Sequence, residues 1–132
     1  MIGDVIYSLL SNDATVGALV STRIYPNMAI ENVVYPYIVY EQTGNNPQND
    51  KDGPSTLDTL SYDIEMYTET EAKSNTLGVA VRNVLDRYSG TVNTKVIQSV
   101  KYNNENSGYS DDMGRVHLKM QSYDFRYLFP LI

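Results

Sequence analysis

Within residues 57–68, positions 59–66 alternate in polarity without a break. Leu60, Tyr62, Ile64 and Met66 take one parity, and Thr59, Ser61, Asp63 and Glu65 take the other. A period of two over this length predicts a strand buried on one face and wet on the other. Such a strand needs a second layer over its apolar face. Helical stripes elsewhere in the chain supply one. Ile2, Val5, Ile6, Leu9 and Leu10 recur at helical spacing. A short second helix, Ala14–Val20, follows a capping Asn12 or Asp13 and turns Val16, Leu19 and Val20 one way. A longer helix is predicted over about residues 70–88. Its stripe is Leu77, Val81, Val84, Leu85 and Tyr88, with Ala80 beside them, and Arg82, Asn83, Asp86 and Arg87 outside. Thr68-Glu69-Thr70-Glu71 matches a capping box at its start, and Gly90 suits the position after its end.

Further extended segments are predicted at Arg23–Pro26, at 37–43 (Tyr-Ile-Val-Tyr-Glu-Gln-Thr, led by Pro36), at 95–102 and at 115–129. In the last, Val116, Leu118 and Met120 are apolar, but after Gln121 the apolar parity changes to Tyr123, Phe125, Tyr127 and Phe129. That shift predicts either a β-bulge near Gln121–Ser122 or a strand whose second half buries its other face. Two stretches, 44–56 and 103–114, lack the apolar periodicity of either element and are predicted as long polar loops. The order α-α-β-β-α-β-β gives an α+β fold: a mostly antiparallel sheet of four to five strands with helices packed on one face. The length of 132 residues bounds it to a single domain, 1–132.

Composition narrows the function. There is no cysteine and one histidine, His117, so disulfides, thiolate catalysis, Cys-ligated zinc and multi-histidine sites are excluded. The net charge of −6 gives no counterion-release gain on DNA or RNA, so direct nucleic-acid recognition is not expected. The charge is uneven: residues 1–66 hold nine acids and two bases, and residues 67–132 hold seven acids and eight bases. No basic region precedes the first apolar run, and no apolar stretch approaches the roughly 18 residues of a membrane span, so neither a secretory signal nor a membrane partner is expected.

Candidate chemistry is thin. Asp63 and Glu65 share one strand face, but carboxylates on a solvated face read as solubilising charge. His117 has no serine or cysteine motif near it and reads as a surface or interface histidine. No Gly-x-Ser-x-Gly, Walker A or Gly-x-Gly-x-x-Gly string occurs. Asp50-Lys51-Asp52-Gly53 imitates part of a calcium loop, but aligning Gly53 to the invariant glycine puts Gln48 and Thr59 where acids are required. No metal, cofactor or catalytic residue is therefore expected, and the chain reads as a non-enzyme. What remains is surface: the two polar segments, and twelve tyrosines against two phenylalanines and no tryptophan. Tyrosine suits protein interfaces because its ring packs while its hydroxyl stays wet.

The strings Leu9-Leu10, Val16-x-x-Leu19-Val20, Arg23-Ile24-Tyr25-Pro26, Tyr35-Pro36-Tyr37-Ile38-Val39-Tyr40 and Tyr62-Asp63-Ile64-Glu65-Met66-Tyr67 stand in a telling order. With a helix at Glu71–Tyr88 and a closing strand at Arg115–Leu128, the chain resembles the tail-completion, or tail-terminator, proteins of long-tailed bacteriophages. Segment 44–56 has no matching motif in that pattern. The resemblance implies a non-enzymatic late virion protein at the head-proximal end of the tail, assembled in the bacterial cytoplasm. It implies a homohexameric ring that caps the tail tube, ends tube polymerisation and offers a head-joining surface. The implied partners are further copies of the chain, a tail tube protein and a head-completion or connector protein. The alternative reading is a tail tube or head–tail connector subunit.

A cyclic ring needs two different patches on each subunit, which the uneven charge can supply. Candidate assembly residues lie in the polar segments: Asn46, Asn49, Asp50, Lys51 and Asp52 in the first, and Asn104, Glu105, Asp111 and Asp112 in the second. These segments are expected to order on assembly, and the −6 charge to hold free subunits apart until a tube end gathers them.

Overall fold

A computed structural model describes residues 2–28, 34–50, 53–110 and 116–128. The elements are α1 (Gly3–Asn12), α2 (Ala14–Val20), β1 (Ile24–Pro26), β2 (Tyr37–Asp50), β3 (Gly53–Thr68), α3 (Glu71–Leu85), β4 (Gly90–Val92), β5 (Lys95–Ser110) and β6 (Val116–Leu128). The architecture is α+β, with one sheet of six strands rather than four to five, in the order β1-β2-β3-β6-β5-β4. Every pairing is antiparallel except the short parallel β1–β2 edge.

The core forms where the helical stripes meet one parity of each strand. Leu60, Tyr62, Ile64 and Met66 of β3 are buried as the alternation predicts. Ile38 and Tyr40 of β2, Tyr123, Phe125 and Tyr127 of β6, and Ile97 and Val100 of β5 join them. Ile2, Val5, Ile6 and Leu10 cover one part of that face, Val16 and Val20 another, and Leu77, Ala80, Val81 and Leu85 the rest. Asp13 caps α2 by accepting from Thr15 N at 3.1 Å and Val16 N at 3.0 Å. Asp4 on α1 accepts from Lys95 Nζ at 2.7 Å, tying the first helix to the far side of the sheet.

The ends of α3 differ from expectation. Thr70, not Thr68, is the N-cap and accepts from Lys73 N at 3.2 Å. Thr68 is still in β3 and donates its hydroxyl to Thr70 O. The helix stops at Leu85 rather than residue 88, because Arg87 turns through φ 65° and donates its N–H to Val100 O. Gly90 therefore opens β4 instead of capping the helix.

The polar segments are the larger correction. Residues 44–50 continue β2, residues 53–56 open β3, and residues 103–110 continue β5. A ladder of backbone hydrogen bonds needs no apolar side chain, so Asn, Ser and Gly extend the strands beyond the core. The residue-121 parity shift also has an explanation. Strand β6 pairs with β3 in unbroken register from Leu57–Leu128 to Thr68–His117, so there is no bulge at Gln121–Ser122. Nor does the second half bury another face: from Lys119 to Tyr127 the same parity is buried throughout, with Lys119 and Gln121 in the helix layer and Leu118 and Met120 half-buried on the open face. The bulges lie instead in the flanking strands, at Gln42/Gly44 and Pro47/Asn49 of β2 and at Ile97/Ser99 and Tyr102/Asn104 of β5.

Candidate functional site

The face of the sheet away from the helices runs in cross-strand rows. The row Glu41–Asp63–Ser122–Asn104 lies beside Gly44–Ser61–Asp124–Lys101 and Asn46–Thr59–Arg126–Ser99. These polar rows are knitted by side-chain hydrogen bonds. Ser122 Oγ donates to Asp63 Oδ1 at 2.8 Å, and Ser61 Oγ donates to Asp124 Oδ1 at 2.7 Å. The carboxylates that could have paired as acid and base are each held by a hydroxyl instead: Asp63 by Ser122, and Glu65 by Tyr67 Oη at 2.9 Å.

One end of this face is aromatic. Tyr37 stacks on Tyr67 with centroids 4.7 Å apart, and Tyr35 and Tyr25 pack on Tyr37 at 5.3 and 6.2 Å. Burial raises the Tyr67 hydroxyl well above the usual tyrosine range, and its bond to the Glu65 carboxylate adds to this. Burial raises Tyr37 too, helped by Tyr35 and Glu65.

The predicted assembly residues do not gather into one site. Asn46 is exposed on β2, and Asn104 is exposed on β5 with β3 and β6 between them. Three strand spacings put those edges roughly 14 Å apart. Asn49 and Asp50 are backbone-paired with Pro54 and Gly53. Lys51, Asp52, Asp111 and Asp112 lie outside the described residues. The pairing ends of the two hairpins, Asp50–Gly53 and Ser110–Val116, sit at opposite ends of the sheet, because β3 and β6 run antiparallel.

Glu105 has partners within the chain. Its Oε1 accepts from Gln121 Nε2 at 2.8 Å, and its Oε2 lies 3.5 Å from Lys119 Nζ. Lys119 Nζ also donates to Asn75 Oδ1 at 2.9 Å, Gln121 Nε2 to Gly78 O at 2.9 Å, and Tyr123 Oη to Gln121 Oε1 at 2.6 Å. This chain, buried at Lys119, Gln121 and Tyr123 and exposed at Asn75 and Glu105, fastens α3 to β5 and β6. Sequence reading missed it; the polar Lys119 and Gln121 inside the parity shift were the available signal.

His117 packs on Tyr109, with ring centroids 4.9 Å apart, in a cavity of about 330 Å³ that Glu71, Ser74 and Asn75 also line. Among the described residues, no group of three or more metal-ligating side chains forms, and no helix is long and apolar enough to cross a membrane.

A family described as tail completion protein gp17 matches residues 4–127 of the chain. Among solved structures, the fold is similar to a chain from the virion of a native gene transfer agent particle. That likeness has a TM-score of 0.71 at 15% identity and covers 92% of this chain and 91% of the other. Comparison with curated protein sequences gives no match.

Proposed function

The chain belongs to the tail completion protein gp17 family and is a structural protein of phage type, and we propose that it forms a closed homohexameric ring on the tail tube. In this reading the ring ends tube polymerisation and presents the surface that a head-completion or connector protein joins. Its place is the head-proximal end of the tail, after assembly in the host cytoplasm, and the whole chain 1–132 acts as one unit. The family match over residues 4–127 is the observation that carries the reading. Two further features support it: the sheet has different strands at its two edges, as a heterologous ring interface requires, and its two long hairpins reach opposite ends of the sheet, which suits contacts to two different partners. We assign assembly contacts to the hairpin residues Asn46, Asn49, Asp50, Lys51, Asp52, Asn104, Asp111 and Asp112, and to Glu105 a bracing role through its bonds to Gln121 and Lys119.

The test is sedimentation mass with electron microscopy of the purified chain, alone and with tail tubes. Closed six-subunit rings, free or seated at tube ends, are expected; open-ended polymers of the chain would overturn the ring and favour a tube subunit. Deleting residues 46–53 should abolish ring seating or head joining. A hexamer that still joins tails to heads would remove the first hairpin from the contact set.

A further inference from the structure

Both sides of the sheet begin covered and end bare. Strand β1 pairs with β2 only at Ile38–Tyr40, and the Asn27 N–H adds a bond to Tyr40 O. Strand β4 pairs with β5 only at Lys95–Ile97, and Arg87 N takes Val100 O. Beyond these points, Glu41–Asp50 of β2 and Lys101–Gly108 of β5 have no strand partner on their outer sides among the described residues. Long open edges are templates for pairing with another chain.

The two bare edges overlap at one level of the sheet, over four residues of each strand. The cross-strand rows put Glu41–Gly44 level with Lys101–Asn104. Three antiparallel steps separate β2 from β5, so the two strands run in opposite directions. Rotation about an axis along the strands keeps each strand's direction. It therefore brings β5 of one copy beside β2 of the next in antiparallel sense. Charge agrees at the free edges: β2 carries Glu41 and no basic residue, while β5 offers Lys101, its Glu105 being already engaged by Gln121 and Lys119. Pairing β2 with β2 sets acid on acid; pairing β2 with β5 does not.

The geometry points to a head-to-tail contact between copies of this chain, in which the free edge of β2 around Thr43 adds as an antiparallel strand to the free edge of β5 around Asn103. This deepens the ring reading and rests on it.

The absence of native cysteine makes the test direct. Thr43 and Asn103 are exposed bulge-region residues skipped in the strand register, and Thr43 Oγ1 donates inward to Ser61 O at 3.2 Å. Directly opposed antiparallel residues stand at the Cα separation a disulfide requires. Thr43→Cys is combined with Lys101→Cys, Asn103→Cys or Asn104→Cys in the full chain, oxidised, and run on a denaturing gel beside each single variant. Mass measured on the unoxidised proteins reports assembly independently. At least one double variant should cross-link about tenfold more than any single variant, in a ladder that stops at the ring size. Rings of full mass with no double variant cross-linking would overturn the edge pairing and leave the ring standing. Cross-linking of Thr43→Cys alone would overturn it in favour of like-with-like contact. If no ring forms, alone or at tube ends, the ring reading falls and the edge pairing falls with it.

Discussion

Replacing Gln121 by Glu changes one atom of a fully buried side chain and reverses its electrostatics. Gln121 is 0% exposed and gives Nε2 to both Gly78 O and Glu105 Oε1. A carboxylate there would face the Glu105 carboxylate and a helix carbonyl with no proton to offer. The least costly response is protonation, because a buried charge beside a like charge is strongly disfavoured. Holding a carboxyl neutral at pH 7 against a reference pKa of about 4.3 costs about 3.7 kcal/mol, from 1.36 kcal/mol per unit. The neutral acid has one donor where the amide had two, which adds about 1 kcal/mol at all pH values. The sign follows from linkage. The folded pKa lies above the unfolded one, so the unfolded chain releases the proton first and stability falls as pH rises from about 4.3 toward the folded pKa. Urea unfolding of Gln121→Glu and the parent chain at pH 4.5, 5.5 and 7 should show a gap of about 1.5 kcal/mol widening to about 4 to 5 kcal/mol. Adding Glu105→Gln should recover at least half of the loss at pH 7. A gap that does not change with pH would refute the buried bond between Gln121 and Glu105.

Gly78→Ala places a Cβ 2.7 Å from Lys119 Cδ, whose side chain is packed beneath α3. The helix-propensity gain of about 1 kcal/mol should be outweighed by overpacking of about 1–3 kcal/mol, read as a lower urea midpoint. Asp13→Ala removes both cap bonds of α2 and should cost about 1 kcal/mol in the same assay. Burial raises the hydroxyls of Tyr37, Tyr40, Tyr62, Tyr67, Tyr102 and Tyr123. The unfolded chain therefore ionises them first, and stability should fall above pH about 10. An ultraviolet titration should show about half of the twelve tyrosines ionising late and together with unfolding; twelve equal titrations near pH 10 would count against the packing.

The elements read correctly from sequence are those whose side chains report burial. Leu60 to Met66 of β3, the stripe of α1 and the Leu77–Leu85 stripe of α3 all alternate because one face leaves water. The segments read wrongly are those held by backbone alone. Asn45 pairs with Leu60, Asn46 with Thr59 and Gly108 with Leu118, and none of these polar or glycine positions announces a ladder. Lys119 and Gln121 misled in the opposite direction: their polarity suggested an outward face, yet each is buried because partners on α3 and β5 satisfy it. The candidate assembly residues were found by composition, which locates a polar stretch but not the edge on which it lies.

The uneven charge of the sequence acquires a meaning only through strand order. Residues 1–66 hold nine acids and two bases, and residues 67–132 hold seven acids and eight bases. Interleaved strands would have mixed the two halves across the sheet. The order β1-β2-β3-β6-β5-β4 keeps them apart, because the N-terminal strands fill one side and the C-terminal strands the other. The imbalance therefore lies across the sheet, perpendicular to the strands, which is the direction in which neighbours around a ring would meet. The overall −6 opposes every encounter between free copies, so added salt should promote assembly by screening it. Contact between two β2 edges sets Glu41 against like charge, whereas contact between a β2 edge and a β5 edge sets it near Lys101. A charge that only delayed assembly could be placed anywhere on the surface. Segregated across the sheet, it would in the proposed ring also favour head-to-tail contacts, which can close into rings, over the like-with-like contacts that stop at dimers.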